Sequence, residues 1–487
     1  MAKLQLSKEK LIEIFQEKDD DKKMEAYYDI ALKGEIVAGE HMAIVAFLLV
    51  LIDYKKRKML SENMNPLHFF GVPQEDFKKL YELLELTNWE IFYAFTFKET
   101  IPDRPLVEFS EDAAFLSFWR NCYFESLRSC ENALRRDANS FLCNFIKASI
   151  VEICHINKSN IAYKIQLTNY QKNLIDKCEV SKLNFNKEIF EKVVENIEQT
   201  YSTLDSQFHN INFTLAKDTF EETQVEIPQW TKEHDFCLRQ RLFLNPLCNF
   251  DLFIESSLEE LEDLQIEERQ KMYFDEIIDE YKLCRHLTYE YSENVNNDTK
   301  RIQCMVFSYA YSILDKLAFL FRDVYDIDAS EDEIQFTQDK LFDRKLNGKI
   351  ICFKNIKNSN IYPLYSIMQR VRSKQKITDA IKMVAFDFHN LRNTIEHKSI
   401  LKIDENQLKS HSIFLLKNIR DAILYSFMLL RSLNKNNISV DDYSAIANTY
   451  VNAIVQLSQE QKVSGLILKS NWENILKNSL MKLSKIL

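Results

Sequence analysis

The sequence predicts an all-α protein, an array of helical hairpins followed by an antiparallel helical bundle, and three observations lead there. Glycine occurs only 5 times and proline 7 times in 487 residues, so turns that need positive φ, and the tight hairpins that use them, have few places to form. Apolar residues recur at three- and four-residue spacing along most of the chain, without the sustained alternation of half-buried strands. With 46% hydrophobic and 28% charged residues, the composition is that of an ordinary globular protein, and the length suits roughly two to four domains.

In chain order, "MAIVAFLLVLI" at 42–52 is about half the length needed to span a bilayer and runs into Asp53 and "KKRK", so it reads as a buried core helix. "DFKKLYELLEL" (76–86) and "IFEKVVENIEQTYSTL" (189–204) carry helical apolar spacing. Between 118 and 151, Leu127, Ala133, Leu134, Ala138 and Ala148 alternate large and small residues around the turn "RRDANS". This hairpin resembles a tetratricopeptide (TPR) repeat, although the repeat's terminal proline and most of its glycine positions are missing. The resemblance implies a TPR-like helical array over residues 1–220.

Residues 221–270 form a junction segment. Pro228 and Pro246 interrupt any continuous helix there, and "RLFLNPL" (241–247) is expected to dock against the C-terminal bundle. Long helical patterns over 271–292 and 299–326 open that bundle, which spans 271–435. A polar segment over 329–375 reads as loop with one short strand in "KIICF". Helices over 377–398 and 406–433 complete the bundle, and 436–487 is a C-terminal helical extension.

Charge is uneven. The chain carries −10 overall, but residues 341–487 hold 23 Lys and Arg against 11 Asp and Glu, leaving +12 there and −22 on residues 1–340. A polyanionic partner would therefore meet the C-terminal part. Ten cysteines without a C-x-x-C pair fit reduced thiols better than disulfides or zinc. The opening "MAKLQLSKEK" has no apolar signal core, which points to the cytoplasm and away from a membrane.

The stretch that asks for a chemical explanation is "AFDFHNLRNTIEHKSI", 385–400. Phosphate-loop, metalloprotease, α/β-hydrolase and kinase signatures are absent. His389, Asn393 and His397 recur at i, i+4 and i+8 and share one helix face, whereas Arg392, five positions before His397, lies about 140° round the helix from it. Those two can meet one substrate only if the arginine wraps around, the helix end distorts, or a second chain contributes. On spacing alone, Arg392 and Glu396 read equally as an exposed i, i+4 ion pair, His397 and Lys398 as complements to a helix C-terminus, and His389 as a core histidine.

"LRNTIEH" near the end of a long helix in a C-terminal bundle resembles the signature of the HEPN superfamily, an arginine followed by a polar residue, three variable residues and a histidine. With "RLFLNPL" at the junction, "SILDKLAF" (312–319) on an upstream helix and "LRNTIEHK" (391–398) on the motif helix, residues 235–435 resemble prokaryotic HEPN proteins in which a TPR-like array precedes the HEPN domain. The resemblance implies a metal-independent endoribonuclease without cofactor, a toxin or immune effector whose array senses a protein partner or trigger. His397 would be the acid or base, Arg392 the phosphate ligand and Asn393 an orienting group. Lys398 and His389 would help bind RNA, while Glu396, Asp315 and Lys316 would stand behind them, in a homodimer with a composite site. The alternatives are a non-catalytic RNA-binding module and a helical-repeat scaffold.

Overall fold

A computed structural model describes residues 103–119, 122–155, 231–244, 267–293, 297–356, 358, 360–372, 388, 390–397 and 403–432, together with isolated positions 22, 25, 26, 48, 49, 51, 52, 83 and 87. These residues are mostly helical. The expected helix over 189–204, the prolines at 228 and 246 and the extension over 436–487 lie outside them, as does most of the proposed array. Leu48, Leu49, Leu51 and Ile52 are helical and buried, as a core helix requires.

Three consecutive helices, α1 (Asp103–Trp119), α2 (Tyr123–Leu134) and α3 (Phe141–His155), pack on one another. Tyr123, Phe124, Leu127, Cys130 and Ala133 turn one face of α2 inward. The "RRDANS" turn comes directly after α2, and polar side chains fix it: Asp137 Oδ1 accepts from the Asn139 N–H at 3.0 Å, and Ser140 Oγ accepts from the Cys143 N–H at 3.3 Å while donating to Glu111 at 2.5 Å.

Helix α4 (Lys232–Gln240) starts on Thr231, whose hydroxyl caps the His234 N–H at 3.3 Å, and stops at Arg241, which adopts φ 58°. A left-handed non-glycine residue costs about 1–2 kcal/mol, and contacts to α2 and to the bundle offset it. Arg241 donates to the Arg128 carbonyl at 3.0 Å and pairs with Glu131 at 2.6 Å on α2. The Leu242 carbonyl accepts from the Tyr281 hydroxyl at 2.7 Å, and the Phe243 carbonyl accepts from Arg420 Nε at 2.7 Å. Residues 241–244 are thereby docked between α2 and the bundle.

The bundle comprises α5 (Glu268–Glu293), α6 (Asn297–Tyr325) and α8 (Glu405–Ser432), which pack mutually, with α7 (Ile361–Arg372) on α8. Lys300–Tyr325 is long and apolar enough to cross a bilayer by composition, but most of it is buried within the fold. Phe307, Leu314, Leu317 and Phe321 supply its inward face.

The segment 329–375 departs from the expected loop. Its strand reading holds in outline, since Lys345–Leu346 (β1) pairs antiparallel with Lys349–Cys352 (β2) around Asn347 and Gly348, both at positive φ. The segment also contains helix α7. Ile361, Leu364, Ile367, Met368 and Val371 form its buried stripe, and Pro363 sits in the first turn, where its missing N–H has no helical acceptor to lose. Flanking polar residues conceal this twelve-residue helix in sequence. Aromatic packing holds the segment in place: Phe342 lies 5.5 Å from Phe336, 5.7 Å from Phe353 and 5.3 Å from Tyr365 between ring centres. Phe342 is fully buried, so Phe342→Ala is expected to cost about 3–5 kcal/mol, read as a lowered midpoint in urea with an unchanged denaturant slope. A loss below about 1 kcal/mol would mean that the aromatic cluster does not anchor the segment.

Candidate functional site

The site grows from two residues one turn apart on α6, Tyr311 and Asp315. Arg372, at the end of α7, closes over them. Its Nη1 donates to Asp315 Oδ1 at 2.8 Å and Oδ2 at 2.9 Å, its Nη2 donates to the Tyr311 carbonyl, and its guanidinium carbon stands 4.0 Å from the Tyr311 ring centre. The Tyr311 hydroxyl donates in return to the Val371 carbonyl at 3.2 Å. Asp315 Oδ1 also accepts from the Phe336 N–H at 2.9 Å, which ties the loop after α6 to the same carboxylate. Arg372 is almost wholly buried, with 5% of its side chain exposed, so these oxygens replace the water it has lost.

The motif helix, described over 390–397, is oriented by its apolar side. Phe388 stacks on Phe307 at 6.0 Å and meets Phe414 at 5.6 Å, Leu391 is buried, and Ile395 packs on the core. That stripe turns Arg392 toward α6, where its guanidinium carbon lies 5.1 Å from the centre of the same Tyr311 ring. One buried aromatic ring thus meets two guanidinium groups. Burial pushes the Tyr311 phenol up, the two arginines oppose that shift, and Asp315 and Glu396 add to it, so the hydroxyl stays a proton-bearing donor at neutral pH.

Arg392 Nε donates to Glu396 Oε1 at 2.7 Å. Partial burial works against the Arg392 charge, yet the Glu396 hydrogen bond and carboxylate outweigh it and raise the guanidinium above its ordinary value. The other oxygen of Glu396 lies 3.8 Å from His397 Nε2, and 72% of the His397 side chain is exposed. Arg392 and His397 do not converge directly. They border the two oxygens of one carboxylate, and the i, i+4 ion pair that spacing allowed is formed.

The other expected residues divide. Asp315 belongs to the cluster through Arg372. Lys316 does not, because it reaches the opposite way to Glu276 and Glu280 on α5; the one-position offset on a helix turns it about 100° from Asp315. Asn393 is half-buried, and its side chain makes no hydrogen bond among the described residues. His389 and Lys398 lie outside the described residues. Sequence reasoning missed Tyr311 and Arg372. The i, i+4 placement of an aromatic and an acid on a core helix was the available signal, but nothing in the chain connects position 311 to 372.

Residues 301–432 match the family model of LA2681-like HEPN domains. This segment is a HEPN domain. Comparison of the chain with curated proteins and with solved structures returns no match. The matched span runs from α6 to the end of α8 and so includes Tyr311, Asp315, Arg372, Arg392 and His397. A HEPN domain suggests nuclease or other RNA-related chemistry. The TPR-like character of the N-terminal helices has no corresponding match.

Removing the charge of Asp315 leaves Arg372 buried without its carboxylate. Asp315→Asn is expected to lower the unfolding free energy of this domain by about 3 kcal/mol and Tm by roughly 6–12 °C, monitored by circular dichroism. A melting curve indistinguishable from wild type would show that the clamp contributes no stability.

Proposed function

We propose that this protein is a metal-independent endoribonuclease of the HEPN type that acts as a toxin or immune effector, its N-terminal helices responding to a partner or trigger. One observation carries the reading. Arg392 lies against Tyr311 with only Nε engaged, by Glu396, so its Nη edge has no acceptor among the described residues, and it is flanked by an exposed histidine. A planar guanidinium edge matches two phosphate oxygens.

The chemistry needs no cofactor because RNA carries its own nucleophile. The 2′-hydroxyl attacks the adjacent phosphorus, its proton passes to a base, the bond from phosphorus to the 5′-oxygen breaks, and that oxygen takes up a proton. His397 suits one of these transfers, since an imidazole can accept or give a proton near neutral pH. Arg392 would stabilise the negative charge that gathers on the phosphate oxygens. Arg372 and Tyr311 act through Arg392 as positioning residues: the hydrogen bonds from Arg372 to the Tyr311 carbonyl and from the Tyr311 hydroxyl to the Val371 carbonyl fix the ring on which that guanidinium rests. Asn393 would orient the ribose.

A second copy of the chain would complete the site, because Arg392 and His397 are separated by the Glu396 carboxylate within one chain. Ile302, Met305 and Tyr309, exposed at i, i+3 and i+7 on α6, offer an apolar stripe for that association. Light scattering should give the mass of a dimer; a monomer at all concentrations would remove this part of the reading.

A second reading, a non-catalytic RNA-binding module, is favoured by Glu396, whose carboxylate already occupies Arg392 and competes with phosphate. One assay separates the two. The purified chain, in chelator, is expected to cut RNA and leave 2′,3′-cyclic phosphate ends. His397→Ala should lower the rate by about 10²- to 10⁴-fold and Arg392→Ala by at least about 10²-fold. Salt-sensitive RNA binding with no cleavage would support the module, and equal cleavage by all three chains would remove the site.

A further inference from the structure

Away from the candidate site, Arg128, Lys147, Arg241 and Arg420 gather where α2, the Arg241 turn and α8 meet. Two carboxylates serve them, and both are committed. Asp421 accepts from Arg128 on one oxygen and from Arg420 Nη1 at 2.8 Å on the other. Glu131 meets Arg241 at 2.6 Å on one oxygen and Lys147 at 3.4 Å on the other. Lys417, one turn before Asp421 on the same face of α8, comes in addition. It makes no hydrogen bond or ion pair among the described residues, and the charges facing it are Arg128, Arg135, Arg241 and Asp421.

An ammonium that is half-buried beside three guanidinium groups and one occupied carboxylate is short of negative charge. It can lose its proton or acquire an anion. In the unliganded chain the first tendency is visible: burial, then Arg128 and Arg241, push the Lys417 amine down to about 7, against the pull of Asp421. The donors for the second are in place. Arg128 engages Asp421 through Nη1 alone, leaving Nε and Nη2 without acceptors among the described residues, and Arg135 stands exposed at the rim. Lys417 lies one turn from Asp421, which Arg128 meets, and Arg135 stands two turns on from Arg128 at the end of α2; such a set of cations suits a tetrahedral oxyanion carrying two or more charges.

We propose that the seam between α2, the Arg241 turn and α8 is a binding site for a small phosphate-bearing anion, held by Lys417, Arg128 and Arg135. A free polyphosphate and the phosphate tail of a nucleotide share this chemistry. The compact, half-buried arrangement favours such a ligand over the extended backbone of RNA. A ligand here joins an N-terminal helix to α8, which packs against α6 and α7, the two helices that carry Tyr311, Asp315 and Arg372. The proposal does not depend on the nuclease reading, and its test reads binding and stability rather than cleavage.

Sodium pyrophosphate and ATP, each without metal and at ionic strength matched with sodium chloride, are titrated into the full chain by calorimetry and by thermal melting. A saturable rise in Tm of several degrees is expected near a hundred times Kd. Lys417→Met should weaken binding at least tenfold and at the same time raise the Tm of the unliganded chain, because a repelled charge has been removed; Lys417→Arg should keep the binding. A lysine with a merely structural role would lose Tm when replaced.

The unliganded pair has a pH signature as well. The groups facing the amine are Arg128 and Arg135 from α2, Arg241 from the turn and Asp421 from α8. A lysine whose folded value lies below its unfolded one is destabilising most fully below the folded value, and the penalty fades as pH rises toward the unfolded value. The Tm advantage of Lys417→Met should therefore shrink between pH 7 and pH 9. ATP binding at least tenfold tighter than pyrophosphate assigns the site to nucleotides, and equal binding assigns it to phosphate alone. No saturable shift with either probe, an unchanged shift in Lys417→Met, or loss in that variant of RNA binding only would overturn the proposal.

Discussion

A guanidinium taken out of water must be met by oxygen atoms, and that constraint ties together parts of this chain that are far apart in sequence. Arg420 on α8 reaches the Phe243 carbonyl, Arg370 on α7 reaches Glu125 on α2, Arg241 reaches α2, and Arg372 reaches α6. Each contact links segments that hydrophobic burial alone would leave free to slide, because apolar packing is non-directional whereas a guanidinium fork fixes both distance and plane. The docked segment 241–244 shows the effect most clearly. Its backbone carbonyls have no helix to join, and the side chains of Tyr281 and Arg420 supply their hydrogen bonds.

The candidate site on α6, α7 and the motif helix reuses the same device with one element left open. Arg372 is engaged through both Nη atoms and serves as structure, while Arg392 shares its aromatic platform and its Nη edge has no acceptor among the described residues. The difference comes from position. Arg372 ends a helix whose neighbour offers Asp315 and a carbonyl, whereas the motif helix turns Phe388, Leu391 and Ile395 into the core and leaves its flank to Arg392, Glu396 and His397. In the proposed function a phosphate would take at Arg392 the place that the Asp315 carboxylate holds at Arg372. The seam at Lys417 is the opposite case, in which cations gathered by packing outnumber the acids that face one of them.

Much of the architecture is legible in composition and periodicity. Scarcity of glycine and proline, with the apolar spacing of 299–326 and 406–433, is enough for long helices, because a helix satisfies its backbone internally and needs only one apolar face. The turn at 135–140 could be read from Asp137, Asn139 and Ser140, which bond to nearby backbone. Helix α7 could not, since its stripe is short and set among polar residues, and it packs on α8 and, through Tyr365, on Phe342, contacts that are tertiary.

The site divides in the same way. Arg392, Asn393, Glu396 and His397 are neighbours along one helix, so their types and angular relations were available from the chain alone, including the fact that arginine and histidine do not share a face. Asp315 could be named, but its direction could not, and Lys316 beside it faces the other way. Tyr311 and Arg372 were decided by the tertiary structure, because an aromatic ring becomes a platform, and an arginine becomes its clamp, only when α6, the end of α7 and the motif helix are brought together. Local sequence sets which residues lie on one surface of one element, and long-range packing sets which surfaces meet.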